Sequence, residues 1–443
     1  MMVSKTKKRT KKYGRAKFWS FIAVLSLSGF VIIWFLFSTF FGRSSEISNE
    51  SSAPIDTIRQ KEKIEKYNSE FIEAATSNED TSYTTIRVSS PENLDYEYDK
   101  YAGKSIRRVY TGRRINIAIT GLDSRLGTRS NHADANHVLS FLLDSGKIEI
   151  TSIPRDTYAD AGMDDSTGLN KLTIVRANRG RQFYHQELAR IAGLDRIHYY
   201  VEAGFSQVMG LIDFLGFKDS RSTLQVLRSR TGLGGDDYQR CYNQGQFIRQ
   251  MILRHYDILN GPFSQIVIRG GIALMETNLT ADVMNNIVAT LTSKGFPRSD
   301  SDVEIRVRPP VPLNYKIYNF SDETTIASLT KKIENFNRHR DDDTTFSNNK
   351  EINVERKLKK LISEAAQDSL KRPKQVINKL EVYFEQKAWH QIDDRVERNK
   401  VRDEISILLE NAYLKTKNTL KANRIRETIE AEKLLFEKSL KEQ

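Results

Sequence analysis

The chain has 443 residues and a single cysteine, Cys241. That excludes an intramolecular disulfide framework and says little about compartment. Residues 325–443 contain no glycine and one proline, Pro373. With so few helix breakers, long helices are expected there, over Val354–Leu370, Val376–Trp389 and Val396–Leu440, as hairpin helices or a short coiled coil. Such a charged region reads first as a solvated appendage. The loop Asn337–Asn349, with Asp341-Asp342-Asp343, reads as a linker.

Two further absences lie at the start. Residues 1–17 hold no acid, and Phe18–Phe41 holds no charge of either sign. Eight of the +12 net charges fall in those first seventeen residues, leaving +4 on the other 426. The basic excess therefore belongs to one tail, and no nucleic-acid partner is expected. The uncharged run is long enough to cross a hydrocarbon core of ~30 Å at ~1.5 Å per residue. A secretory signal has an apolar region of only ~7–15 residues and a small-residue cleavage site. Here the run is longer and ends Ser38-Thr39-Phe40-Phe41-Gly42-Arg43. It is expected to be an uncleaved anchor, with the basic tail kept in the cytoplasm.

The expected organisation is a cytoplasmic tail 1–17, a transmembrane helix 18–41 and an extracytoplasmic stalk 42–112. A catalytic α/β domain 113–322 and a charged helical region 323–443 follow. The protein would be a single-pass plasma-membrane protein. Within the α/β domain, Ile115–Thr120, His137–Leu143, Lys147–Ile153, Ile197–Glu202 and Val303–Val307 read as strands. Gln182–Ala192, Phe205–Leu215, Gln244–Leu259 and Leu279–Lys294 read as helices. Interleaved strands and helices imply one sheet with helices on both faces.

Two segments about thirty residues apart carry the candidate chemistry. They are Thr120-Gly121-Leu122-Asp123-Ser124-Arg125 and Ser152-Ile153-Pro154-Arg155-Asp156-Thr157. Each places an acid and an arginine just past a strand, where ligands gather in open α/β sheets. Asp134 would arrive on the loop before the second strand. Carboxylates can hold a hard cation such as Mg²⁺, and guanidiniums grip phosphate oxygens in pairs. The same spacing also suits turn residues and surface ion pairs. Downstream, Arg228 and Arg230 alternate before a glycine-rich loop, Gly232-Leu233-Gly234-Gly235, and Arg240 lies one helical turn before Gln244. The loop lacks the Lys-Ser/Thr of a nucleotide-binding fingerprint.

Taken in order, these segments resemble the LytR-CpsA-Psr (LCP) family of cell-envelope glycopolymer transferases, from about Asn116 to Tyr318. The resemblance rests on Gly121-Leu122-Asp123-Ser124-Arg125, on Ser152–Thr157 in full, and on Tyr199-Tyr200-Val201-Glu202 followed by Phe205. Arg228 with Arg230, Asp237-Tyr238-Gln239-Arg240 and Thr277-Asn278-Leu279-Thr280 also match. It implies an α-β-α domain with a central mixed sheet. It also implies a Mg²⁺-dependent transfer of a glycopolymer, with one phosphate, from a polyprenyl-pyrophosphate carrier to peptidoglycan or another envelope acceptor. Asp123, Arg125, Asp134 and Arg155 would be catalytic, with Asp123 and Asp134 holding the metal. Arg125, Arg155, Arg228, Arg230, Arg240 and Gln244 would bind the pyrophosphate, with Asp156 and Gln244 as positioners. The apolar helices 205–215 and 244–259 would wall a lipid tunnel or pack as ordinary core. A lipid-pyrophosphate hydrolase and a non-catalytic envelope assembly protein are the alternatives. The chain departs from the family pattern at His132-Ala133-Asp134-Ala135 and at Asn243-Gln244, where the family has two further arginines. Neither His132 nor Asn243 supplies a permanent charge.

Overall fold

A computed structural model of the protein describes residues 96–99, 104–107, 112–129, 131–230, 233, 236–311, 313–341 and 353–439. The expected tail and membrane span, most of the stalk and three of the four residues in the glycine-rich loop lie outside them. Among the described residues no helix is long and apolar enough to cross a membrane.

A small antiparallel pair comes first, β1 (Tyr96–Asp99) with β2 (Lys104–Arg107). The main sheet contains β3 (Arg114–Leu122), β4 (Ala133–Leu142), β5 (Lys147–Ile153), β6 (Tyr199–Ala203), β7 (Glu276–Thr277) and β8 (Val303–Val307). Its order is β7-β6-β3-β4-β5-β8. β4 runs antiparallel to both β3 and β5, while β6 pairs parallel with β3 and β8 parallel with β5. The start of β4 therefore lies beside the ends of β3, β5, β6 and β8. Asp144 fixes the β4–β5 turn to the base of β3, accepting from Arg113 N at 2.7 Å and Nε at 2.9 Å.

Strand alternation sorts side chains between two layers. On one face Ile115, Ile117, Leu139, Phe141, Ile148 and Ile150 meet α5 (Asp237–Asn260) and α7 (Ala281–Ser293). On the other, Ala118, Val138 and Ile153 meet α1 (Leu172–Asn178) and α2 (Gly180–Ala192). That second face also buries polar groups in satisfied sets. Tyr184 Oη donates to Asn136 Oδ1 at 2.7 Å, and Arg176 grips Glu202 with two bonds of 2.7 and 2.9 Å. Gly245 lets α5 approach the sheet, since a Cβ there would lie 2.6 Å from Ser152 Oγ.

A further apolar cluster joins α3 (Phe205–Phe214), α4 (Ser220–Arg228), α5 and α8 (Glu323–Asp341). In it Met209 and Ile212 pack with Phe247 and Met251. For these four side chains the core reading of the two helices holds, rather than the tunnel wall. α6 (Ser264–Leu274) completes this region. α8 runs through 337–341, so the expected linker is helical at its start, and 342–352 lie outside the described residues.

The carboxy-terminal region forms α9 (Val354–Asp368), α10 (Pro373–Glu385), α11 (Arg395–Lys415) and α12 (Thr419–Ser439). The expected helix 396–440 is two helices, broken at Thr416-Lys417-Asn418, where Lys417 has φ of 61°. The bundle has its own core around Leu358, Leu380, Trp389, Ile405 and Ile425. It is no solvated appendage. Leu435 packs onto Gly270 of α6, Phe436 meets Phe214 edge-on at 6.4 Å, and Arg398 forms an ion pair with Asp213.

Ile150 is fully buried between β4, β8 and α5. Replacing it with alanine should cost about 2–5 kcal/mol. Urea denaturation followed by circular dichroism should show the midpoint falling accordingly.

Candidate functional site

The carboxyl edge of the sheet gathers charges from five elements. Asp123 follows β3 directly, its amide bonded to His132 O at 2.9 Å. Asp134 is the second residue of β4, not a loop residue as expected; pairing of Leu122 with Ala133 draws the strand that far. Arg155 and Asp156 follow β5. Arg228 is the last residue of α4, so it ends a helix, and Ser229 after it is extended. α5 begins at Asp237, a full turn or more before the expected start, because Asp236 caps it by accepting from Tyr238 N and Gln239 N. Arg240 therefore lies in its first turn.

These groups form one lattice. Arg155 Nη1 meets Asp134 Oδ1 at 2.6 Å, and the Arg155 amide donates to Asp237 Oδ2 at 3.0 Å. Arg240 pairs with Asp237 and reaches Asp134 O at 3.4 Å. Arg230 lies between Asp156, at 3.5 Å, and Asp237, at 3.4 Å. Arg228 approaches Asp123 at 3.8 Å and stacks over the Phe205 ring at 4.0 Å. Thr173 Oγ1 touches Asp134 at 3.5 Å, and Lys171 adds a cation near Asp156 at 3.5 Å. Side-chain exposure rises from 7% at Arg240 through 27% at Arg155 to 44% at Arg228. An anion would approach from the Arg228 side, with Arg240 as a buried support. Nε of Arg155 and Nε of Arg240 have no hydrogen-bond partner among the described residues.

Burial shapes the electrostatics. It pushes the Asp237 carboxyl up, against the pull of Arg240, and pulls Arg240 and Arg228 down. Closely spaced guanidiniums repel, and only the interleaved carboxylates hold them together. An added anion would relieve that repulsion.

Gln244 lies below the lattice. Its Nε2 donates to Leu227 O at 3.0 Å, which leaves Oε1 facing His137 Nε2 at 3.3 Å. His137 Nδ1 then accepts from Ser152 Oγ at 2.8 Å. Gln244 thus ties the end of α4, and so Arg228, to the sheet. Asn243 is buried and accepts from Gln239 Nε2 at 2.8 Å. His132 and the Arg125 side chain are exposed on the β3–β4 loop. Burial also pushes the Cys241 thiol up, which removes it as a nucleophile. Among the candidates, Asp123, Asp134, Arg155, Arg228, Arg230 and Arg240 converge, while the Arg125 side chain is exposed on the adjoining loop. Asp237, Thr173 and Phe205 were not singled out as site residues from the sequence. For Asp237, the paired acids Asp236-Asp237 at a helix start were the available signal.

The LytR_cpsA_psr family model matches residues 71–217. The resemblance carried by the motifs therefore holds over that stretch, which includes both the 120–125 and 152–157 segments. Solved structures similar to this chain include Bacillus subtilis TagV, at 16% identity over 50% of this chain and 96% of that one, with a TM-score of 0.36. B. subtilis TagT is 15% identical over 57% and 96%, with a TM-score of 0.33. A structure described as TagT bound to LIIa-WTA is 16% identical over 57% and 96%, with a TM-score of 0.34. No curated protein matches the chain.

Burial holds His137, His185 and His198 neutral, each pulled down to about 4. Unfolding releases them to the ordinary value of ~6.5, so the unfolded chain binds more protons below that pH. Their stabilisation is full above pH ~6.5 and is lost as pH falls toward 4. The urea midpoint should drop across that window. His137→Asn should flatten the drop by about 1–3 kcal/mol.

Proposed function

We propose that the protein transfers a glycopolymer, with one phosphate, from a polyprenyl-pyrophosphate carrier to a hydroxyl of a cell-envelope acceptor such as peptidoglycan. The observation that carries this reading is the convergence of Arg155, Arg228, Arg230 and Arg240 with Asp123, Asp134, Asp156 and Asp237 at one sheet edge. The family match over 71–217 supports it. A pyrophosphate needs several fixed cationic donors, and guanidiniums are suited to bind its oxygens in pairs.

Transfer from a pyrophosphate requires in-line placement and charge stabilisation. The acceptor oxygen attacks the sugar-side phosphorus. The bond from that phosphorus to the bridging oxygen breaks, and the lipid monophosphate leaves with the bridging oxygen. Arg228 and Arg230, the more exposed cations, contact the incoming phosphates. Arg155, held by Asp134, donates to the oxygens that gain charge, and Arg240 holds Asp237 and through it the Arg155 backbone. Among the described residues the Asp123 carboxylate contacts only Arg228, at 3.8 Å, which leaves it open to hold a metal or, instead, to take the acceptor proton. Arg125, exposed on the adjoining loop, steadies the donor. Gln244 acts through the end of α4.

Two carboxylates fit Mg²⁺, which commonly takes one or two from protein and the rest from phosphate and water. Asp123 and Asp134 would hold it. No group of three or more acids, histidines or cysteines suited to a metal occurs among the described residues. Bound there, Mg²⁺ would neutralise charge on the pyrophosphate. The uncharged segment 18–41 would anchor the chain in the plasma membrane with its amino terminus in the cytoplasm. Donor lipid and catalytic domain would then share one bilayer.

With the full-length protein in detergent, a lipid-pyrophosphate-linked glycan and a peptidoglycan acceptor, Asp123→Ala and Arg155→Ala should each lower transfer by ~10²–10³-fold. Phosphate release without acceptor would identify a hydrolase instead. Unchanged envelope function in cells carrying both variants would leave only the assembly role.

A further inference from the structure

The β3–β4 loop that carries Asp123 and Arg125 is not held by its own domain alone. Among the described residues its own bonds are Asp123 N to His132 O, Ser124 N to Leu122 O, and Thr128 N and Oγ1 to Arg125 O, each 2.9 Å, so only the last two lie in its middle. The carboxy-terminal bundle supplies most of the rest. Gln386, which caps the carboxyl end of α10, uses its whole amide on this loop. Its Oε1 accepts from Gly127 N at 2.9 Å, and its Nε2 donates to Arg125 O at 3.0 Å and Thr128 O at 2.7 Å. Lys357 Nζ reaches Leu126 O at 3.4 Å, and the Leu126 side chain packs into the bundle core. Gly127 has φ of +79°, and a Cβ there would lie 2.3 Å from Tyr383 Oη. Arg129 adds exposed ion pairs to Glu385 at 3.1 Å and Glu381 at 3.4 Å.

We infer that the bundle of residues 353–439 is a positioning element for the phosphate site, and that Gln386 is its principal positioning residue. The inference rests on the transfer reading above for its effect on rate, but not for its effect on the loop. Residues 123–132 connect the two strands that present Asp123 and Asp134. Three bonds from one side chain fix the middle of that connection. A site made of close ion pairs loses rate when a carboxylate drifts by an ångström or so. The second, independent anchor of the bundle on α3 and α6 sets Gln386 at a fixed height above the sheet edge. There Gln391 Nε2 donates to Ser206 Oγ at 2.7 Å, and Leu435 sits on Gly270.

The test uses full-length protein and three variants. Gln386→Ala removes all three bonds. Gln386→Glu is isosteric and keeps the acceptor, but turns the two donors into acceptors facing carbonyl oxygens. Ile405→Val loosens the bundle core and leaves every hydrogen bond to the loop in place. Amide hydrogen exchange at residues 124–129 should speed up at least tenfold in both Gln386 variants and stay as in wild type in Ile405→Val. With lipid-linked donor, kcat should fall at least tenfold in both Gln386 variants, with KM changed less than threefold, while Ile405→Val keeps its kcat. Wild-type exchange rates in the Gln386 variants would overturn the inference. So would full kcat in Gln386→Glu, or an equal kcat loss in Ile405→Val. An inactive wild type would refute the transfer reading, and the exchange result would still decide the role of Gln386.

Discussion

The site depends on one topological constraint, the antiparallel insertion of β4 between β3 and β5. In an all-parallel sheet, strand starts and strand ends lie on opposite edges. Here the start of β4 comes to the edge where its two neighbours end. Asp123, Asp134 and Arg155, separated in sequence, are brought together by backbone pairing alone. β6 and β8 run parallel to β3 and β5, so the chain leaving β6 delivers Phe205 and α3 to the same edge.

That edge would be unstable with arginines alone. Each guanidinium has an acidic neighbour: Arg155 with Asp134, Arg240 with Asp237, Arg230 with Asp156 and Arg228 with Asp123. The pairs are graded in burial. Arg240 and Asp237 are desolvated and structural, and removing one partner would strand the other. Arg228 and Asp123 are loosely paired and open, as groups that exchange partners with a ligand should be. The lattice thus combines a stiff base with a replaceable rim. The buried pair between the bundle and α3, Arg398 with Asp213, and the Gln386 clamp extend the stiffness to the β3–β4 loop.

Much of this was legible in the sequence. β5 runs from Lys147 to Ile153 as its alternation of Ile148, Ile150 and Ser152 predicts, and β8 matches its expected span. The helix expected over Leu279–Lys294 is α7, which Thr280 caps by accepting from Val283 N. Element ends were less legible where a cap or a strand pair decides them. Asp134 sits in a strand because β3 is longer than its apolar run, and α5 starts early because Asp236 caps it. Long-range partners left no local signal. Gln386 lies about 260 residues from the loop it binds, in a segment whose composition suggests only a charged helix. Asn243, where the family pattern has an arginine, carries no charge and accepts from Gln239.

The central claim is that the arginine lattice receives a pyrophosphate. It is tested most directly by a crystal structure of the full-length protein with a bound polyprenyl diphosphate. Phosphate oxygens should lie within hydrogen-bond distance of the Arg155, Arg228 and Arg230 guanidiniums, with Arg240 still paired to Asp237. A diphosphate bound elsewhere, with those arginines keeping their present carboxylate partners, would contradict it.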